Sequence, residues 1–171
     1  MSSEQDIFSE YPSEVQSSTQ QPTTVYTRLP GYYAVRHHHP DTPSSESAIT
    51  TMGEGEDTIE VFLGEVGDLQ RAASLGEVSP VYAIQPGGAP AIPTGRVFIR
   101  FKNNVAVEDR IGEIEQAGYE IAQRIEYAPH AAWLRARSGA IADALTGVKA
   151  LEKIANVENI EPQMLMKRVS R

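Results

Sequence analysis

The histidines are the residues of this chain whose type and spacing most directly suggest chemistry. Three of them are consecutive, at His37, His38 and His39, and imidazole is a common zinc ligand. Consecutive side chains point in different directions, however, and no acid or cysteine at a fixed spacing completes a coordination shell. The sequence therefore predicts an exposed loop here, with no metal site and no cofactor.

Other patterns that could support catalysis are sparse. His130 follows Pro129 in a turn-forming run, so it is expected to be a turn residue and not a catalyst. The sequence has no phosphate-binding glycine loop, no nucleophile elbow and no paired metal ligands. It also lacks cysteine, which excludes disulfides and thiolate zinc sites. We therefore expect that the chain is not an enzyme.

Charge is unevenly distributed along the chain. The net charge is −8, and residues 1–56 contain eight acidic residues but only Arg28 and Arg36 as bases. An acidic chain without a basic stripe is poorly suited to nucleic acid. No secretory signal is present, and no apolar run approaches the roughly 20 residues that a membrane span needs. We expect a cytoplasmic protein whose partner is another protein, with no nucleic-acid or membrane contact.

Composition separates a tail from a domain. Residues 1–56 are rich in Ser, Thr, Pro, Gln and Glu and show no persistent period, which predicts a polar, largely disordered tail. The less polar stretch 25–35 either docks as an extended strand on the domain or on a partner, or it is only a more hydrophobic part of the disordered tail. Residues 96–163 carry regular strand and helix patterns, and residues 164–171 form an extended basic C-terminal tail.

Residues 57–95 are transitional and contain two candidate strands. Thr58 to Leu63 alternates like a half-buried strand, and Val78 to Ile84 is a second candidate, with Pro80 favouring an edge position. A Pro/Gly-rich turn and linker follows over residues 85–90. The two strands are expected to form a β-hairpin that packs on the main domain.

Four strands and two helices are predicted in the main domain. The strands cover residues 96–102, 119–125, 131–136 and 157–161. Helical spacing indicates one helix that ends at Gly118 and a second over residues 141–154 that ends at Asn156. The order is βαββαβ, so the predicted fold class is α+β: a ferredoxin-like antiparallel sheet with two helices on one face.

The predicted sheet leaves one face without helices. Alternation along the strands places Phe98, Arg100, Trp133 and Arg135 on that face. Aromatic and arginine side chains on an uncovered sheet face are typical of a protein interface. The alternative is that the hairpin of residues 57–84, or the N-terminal tail, covers this face.

Several motifs between residues 78 and 163 carry a family resemblance. They are the strands Gly95-Arg-Val-Phe-Ile-Arg-Phe-Lys102 and Ala131-Ala-Trp-Leu-Arg-Ala136 and the closing run Val157-Glu-Asn-Ile-Glu-Pro162. These motifs resemble the propeptide and inhibitor domain of subtilisin-like serine proteases. The Asp, His and Ser motifs of that family's catalytic domain are missing, and the chain stops where that domain would begin.

The resemblance implies an inhibitor or folding chaperone of a subtilisin-like serine protease. The open sheet face would pack on the protease, and the segment after Glu161-Pro162 would lie in the active-site cleft like a product. The cleft contacts would be Met164, Leu165, Met166, Lys167, Arg168, Val169, Ser170 and Arg171. The alternative is a non-inhibitory interaction or assembly module that reuses the same fold.

Overall fold

The computed structural model describes residues 8–20, 23–37, 50–52, 58–63, 77–85 and 88–166. Within these residues it contains nine β-strands and three short α-helices. The chain divides into two compact units. The first unit comprises Met1–Ser9, Thr27–Ile92 and Met164–Arg171, and the second comprises Glu10–Tyr26 and Pro93–Gln163.

The first unit is an antiparallel β-structure centred on one long strand. Its strands are β2 (Val25–His37, which enters this unit at Thr27), β3 (Thr50–Met52), β4 (Thr58–Leu63), β5 (Glu77–Ala83) and the beginning of β6 (Ala91–Phe101). β2 pairs with β4 on one edge and with β5 on the other, and β3 pairs with β4. Ala91 of β6 pairs with Tyr82 of β5, so β6 continues the same antiparallel structure.

Alternation along β2 separates two layers of side chains in the first unit. Ala34 lies opposite Val61 and packs in a buried aliphatic cluster that also includes Ile59, Val81 and Ile92. Tyr33, the preceding residue, lies opposite Phe62, and their rings stack with centroids 5.1 Å apart. Because successive side chains of a strand point to opposite faces, the aliphatic and aromatic layers lie on different sides of β2.

The second unit combines the remaining strands with all three helices. Its strands are β1 (Glu14–Gln16), the rest of β6, β7 (Tyr119–Arg124), β8 (Ala131–Ala136) and β9 (Val157–Met166, in this unit as far as Gln163). Its helices are α1 (Ile111–Gln116), which follows a 3-10 turn at Val107–Arg110, α2 (Ile141–Thr146) and α3 (Val148–Glu152). β8 pairs antiparallel with β6 and with β7, and β9 pairs with β6.

One apolar cluster forms the core of the second unit. Val97, Ile99 and Phe101 from alternate positions of β6 are fully buried in it. The helices contribute Ile114 and Leu151, and the other strands contribute further buried residues. The predicted helix end at Gly118 is confirmed: Gly118 follows the C-cap of α1 and has a φ of 92°, the left-handed conformation that reverses the chain after a helix. Asn156 has a φ of 71°, but α3 already ends at Glu152, so the predicted helix end at Asn156 is wrong.

The predicted ferredoxin-like fold class is wrong, because the molecule is mostly β. The helices have only 6, 6 and 5 residues, and the apolar stripe read as one helix over residues 141–154 is divided at Gly147. β6 has 11 residues and starts at Ala91, where it pairs with β5. The strand that was expected to open a separate α+β domain is therefore a continuation of the preceding β-structure.

The predicted hairpin and disordered tail are corrected as well. The two strands expected at residues 58–63 and 78–84 exist as β4 and β5, but β2 lies between them and each pairs with β2 instead. β2 itself, 13 residues long, lies in the region read as a tail, as do β1 and β3. The stretch 25–35 is thus a strand, stabilised by pairing partners that lie far away in the sequence and leave no local signal.

Candidate protein-binding surface

Cross-strand pairing brings the predicted interface residues of β6 and β8 together on one side of the second unit's sheet. Phe98 lies directly opposite Trp133, and their rings meet edge to face, with centroids 5.4 Å apart and planes inclined by 62°. Both side chains are only partly buried. An aromatic pair in this geometry contributes about 0.5–1.5 kcal/mol beyond its buried area. The pair therefore forms a fixed, accessible apolar spot.

A row of charged residues borders the aromatic pair on one side. Arg96 lies opposite Arg135, and Arg135 in turn lies opposite Glu120 of β7. Arg135 Nε donates to Glu120 Oε1 at 2.8 Å, whereas Arg96 Nη1 donates to the amide oxygen of Gln123 at 3.0 Å. We call the surface formed by Arg96, Phe98, Trp133, Arg135, Glu120 and Gln123 the aromatic face.

Arg100, another predicted interface residue, is more occupied than the others. It lies opposite Ala131, and its Nε is shut off from solvent 3.4 Å from Glu158 Oε2. That contact is an ion pair and not a well-aligned hydrogen bond, because Arg100 Nε has no hydrogen-bond partner. The guanidinium group of Arg100 is therefore already paired with Glu158 of β9. It is less available to a binding partner than the exposed side chains of Arg96 and Arg135.

Three members of the aromatic face were missed at the sequence level: Arg96, Glu120 and Gln123. Arg96 belongs to the predicted strand, and its alternation with Phe98 and Arg100 was the signal that could have found it. Gln123 lies opposite Trp133 only because the register of β7 shifts between Ile121 and Gln123. A bulge changes which residues share a face, and no feature of the local sequence announced it.

The predicted C-terminal contact segment begins inside a strand. Met164, Leu165 and Met166 are the last residues of β9 and belong to the first unit, where Leu165 packs against the aliphatic cluster around Ala34 and Val61. The other five predicted contacts, Lys167, Arg168, Val169, Ser170 and Arg171, lie outside the described residues. Met164, Leu165 and Met166 therefore belong to the first unit, whereas the residues of the aromatic face belong to the second.

The histidines have no shared site among the described residues. His37 is the last residue of β2, and His38 and His39 lie outside the described part of the chain. His130 lies in the turn before β8, and its carbonyl accepts a hydrogen bond from the Phe101 backbone N–H at 2.8 Å. No group of three or more potential metal ligands occurs in the ranges that the structure describes.

Comparisons with known proteins do not place the chain in a family. No protein-family model matches it, and neither the curated proteins nor the solved structures include a significant match. Among the described helices, none is long and apolar enough to cross a membrane. The functional argument therefore depends on the aromatic face itself and on the motifs of the sequence.

Proposed function

We propose that this chain binds another protein through the aromatic face. The observation that carries the proposal is the partly buried Phe98–Trp133 pair, bordered by Arg96 and Arg135. Aromatic residues and arginine are the side chains most enriched in protein interfaces and in their energetic hot spots. A partner that covers the two rings would bury apolar surface that is now partly exposed to water.

The two aromatic side chains of the aromatic face are also preorganised for binding. Phe98 and Trp133 each stand between residues whose side chains are fully or almost fully buried on the opposite side of the sheet: Val97, Ile99, Ala132 and Leu134. The edge-to-face contact further restricts both rings. Little conformational entropy remains to be lost when a partner docks, and this favours affinity for a given contact area.

A narrower form of this proposal is that the partner is a subtilisin-like serine protease. It rests on the motif resemblance of residues 95–102, 131–136 and 157–162, with the chain acting as inhibitor or folding chaperone. Leu165 packs against the aliphatic cluster of the first unit, so we expect the cleft segment to begin after that residue. A non-inhibitory interaction or assembly module remains the broader alternative.

The proposal is tested by titrating purified subtilisin-like proteases with the full chain and measuring residual protease activity, with trypsin as a specificity control. Trp133 is the only tryptophan of the chain, so in a tryptophan-free protease its emission reports directly on contact at the aromatic face. The test variant is Phe98→Ser. The matched control is Tyr127→Ser, which removes an aromatic ring that is 92% exposed in the turn between β7 and β8.

Inhibition confined to the subtilisin class, weakened about tenfold or more by Phe98→Ser and unchanged by Tyr127→Ser, is the expected result. Absence of inhibition and of binding would refute the protease form. The broader form is then tested by capturing proteins on the immobilised chain, purifying each candidate and measuring its affinity for the wild type and both variants. Partners that bind Phe98→Ser as tightly as the wild type would refute the aromatic face as the contact.

A further inference from the structure

We infer that the partner of the aromatic face presents a carboxylate to Arg96 and Arg135, next to an apolar side chain that covers Phe98 and Trp133. This inference rests on the proposed function and adds the chemistry of the partner. It is carried by an imbalance of charge at one end of the aromatic face. Arg96 and Arg135 are directly opposite each other on neighbouring strands, an arrangement that is unfavourable for like charges.

The charges within the aromatic face compensate only one of these arginines. Glu120 meets Arg135 at 2.8 Å, and in the part of the chain that the structure describes Arg96 has no acidic partner, only the neutral amide of Gln123. Arg137, which follows β8 directly, is exposed and also has no side-chain partner among the described residues. This end of the face therefore carries an excess of positive charge.

The sign of this local charge is opposite to that of the whole molecule. The chain has a net charge of −8, so a polyanion such as nucleic acid would be repelled over most of its length. A single carboxylate on a protein surface avoids that repulsion and can still pair with both guanidinium groups. Arginine recognises carboxylates with two parallel hydrogen bonds, which gives directional selectivity as well as attraction.

The spacing along β6 sets the spacing required of the partner. Arg96 and Phe98 are two residues apart, and residues two apart on a strand are separated by about 7 Å. An extended partner segment meets both with an acidic residue and an apolar residue at positions i and i+2. The matching segment is therefore a short, extended peptide stretch in which acidic and apolar residues alternate.

The test uses three blocked peptides that alternate leucine with glutamate, with glutamine or with lysine, titrated into the full chain while Trp133 emission is recorded. We expect the glutamate peptide to shift the emission and the other two peptides to bind more weakly or not at all. Added NaCl should weaken the glutamate peptide selectively, because exposed charge pairs are screened by salt.

Two variants and a control locate the carboxylate. Arg96→Gln should weaken binding of the glutamate peptide about two- to fivefold, the range of an exposed ion pair. Glu120→Gln should strengthen it, because the carboxylate that now occupies Arg135 is removed. Lys149→Gln, which removes one exposed positive charge from α3 of the same unit, should leave the affinity unchanged.

The outcomes separate this inference from the proposed function. The carboxylate inference is refuted if the glutamate and glutamine peptides bind equally well. It is also refuted if the glutamate peptide causes no emission change up to millimolar concentration. If Phe98→Ser weakens a purified protein partner while Arg96→Gln does not, the carboxylate fails and the protein-binding function stands. If neither substitution weakens binding of the purified protein partner, both the carboxylate inference and the proposed protein-binding function of the aromatic face are refuted. A concentration-dependent emission change without peptide, abolished by Phe98→Ser, would instead identify a second copy of the chain as the occupant.

Discussion

At the residue scale, the second unit depends on one buried hydroxyl. Tyr119 is almost completely buried, and its hydroxyl donates a 2.5 Å hydrogen bond to the carbonyl oxygen of Ala144 in α2. Removal from water, and to a lesser extent the negative charge of Asp143, raises the pKa of the Tyr119 hydroxyl well above its usual range. The neutral phenol is thus the form that the folded state requires.

The raised pKa of Tyr119 predicts a loss of stability at alkaline pH. Above about pH 10 the unfolded chain releases the Tyr119 proton while the folded chain keeps it, so the free energy of unfolding falls as pH rises further. Tyr119→Phe should cost about 1 kcal/mol at neutral pH and should lack this alkaline loss. Urea denaturation between pH 7 and 11 measures both effects.

The control for this prediction is Tyr127→Phe, because Tyr127 is 92% exposed. It should reproduce the wild-type pH dependence. An alkaline loss of equal size in Tyr119→Phe and in the wild type would show that Tyr119 is not its source.

Gly147 and Tyr119 are in close contact, which yields a second prediction. A Cβ atom at Gly147 would lie 2.8 Å from Tyr119 Oη and 2.9 Å from its Cε2, closer than packed atoms tolerate. Gly147→Ala should therefore destabilise the protein by about 1–3 kcal/mol, the usual cost of overpacking. The midpoint of urea unfolding, followed by Trp133 emission, measures it.

Gly112→Ala is the matched control for Gly147→Ala. Gly112 lies in α1, and a Cβ there would meet nothing within 4 Å. Since alanine favours helix over glycine by about 1 kcal/mol, this variant should be as stable as the wild type or more so. Equal behaviour of the two variants would mean that the contact with Tyr119 is relieved without cost.

At the element scale, the N-terminal residues form part of the second unit by bonding to β9. Thr19 and Ile160 exchange two hydrogen bonds: the Thr19 N–H donates to the Ile160 carbonyl at 3.1 Å, and the Ile160 N–H donates to the Thr19 hydroxyl at 3.0 Å. Asn159 Oδ1 accepts from the Ser18 hydroxyl at 2.6 Å and from the Thr19 hydroxyl at 3.3 Å. These bonds satisfy backbone groups of β9 that would otherwise be available to another strand.

Asn159→Ala should loosen this attachment. Asn159 is 4% exposed, so its loss leaves the Ser18 hydroxyl without its acceptor and should cost about 1–3 kcal/mol. Hydrogen exchange at the Thr19 and Ile160 amides should accelerate by more than exchange elsewhere in the second unit. Asn103→Ala, at an exposed turn residue, is the control and should change neither exchange nor stability. Unchanged exchange at both amides in Asn159→Ala would contradict the role of Asn159.

At the scale of the whole molecule, each compact unit is assembled from segments that are distant in the sequence. The second unit combines residues 10–26 with residues 93–163. The first unit combines residues 27–92 with residues 1–9 and 164–171. Contacts of this kind have large sequence separations, and the entropy of closing the intervening loops must be overcome before the contacts are stable. The N-terminal residues are therefore structural, which their polar composition does not suggest.

Removal of residues 1–26 tests this organisation. The deletion eliminates Thr19, the acceptor for the Ile160 amide, and the buried side chain of Val15. We expect faster hydrogen exchange at Ile160 and an earlier urea transition of Trp133 emission. Deletion of residues 1–9 alone leaves residues 10–26 in place and should preserve protection at Ile160. Identical protection in both truncated chains would show that residues 10–26 do not stabilise β9.

Local sequence patterns are sufficient to predict several strands of the second unit. Alternation placed β8 correctly and located β7 and the second half of β6, and a glycine marked the end of α1 at Gly118. Alternation also put Phe98 and Trp133 on one side of a sheet. These features depend on the backbone and side-chain preferences of neighbouring residues, which a single sequence contains.

Which strands pair, and where the β-structure begins, depend on contacts between residues that are distant in the sequence. The composition of residues 25–37 predicts a tail, because the stability of β2 comes from pairing with β4 and β5 and not from a local pattern. Similarly, β6 extends back through Pro93 to Ala91, where the sequence shows no alternation. The opposition of Arg96 to Arg135 and of Gln123 to Trp133 likewise depends on register and on a bulge. Pairing joins residues far apart in the chain, so its energy is not expressed in the period of any one segment.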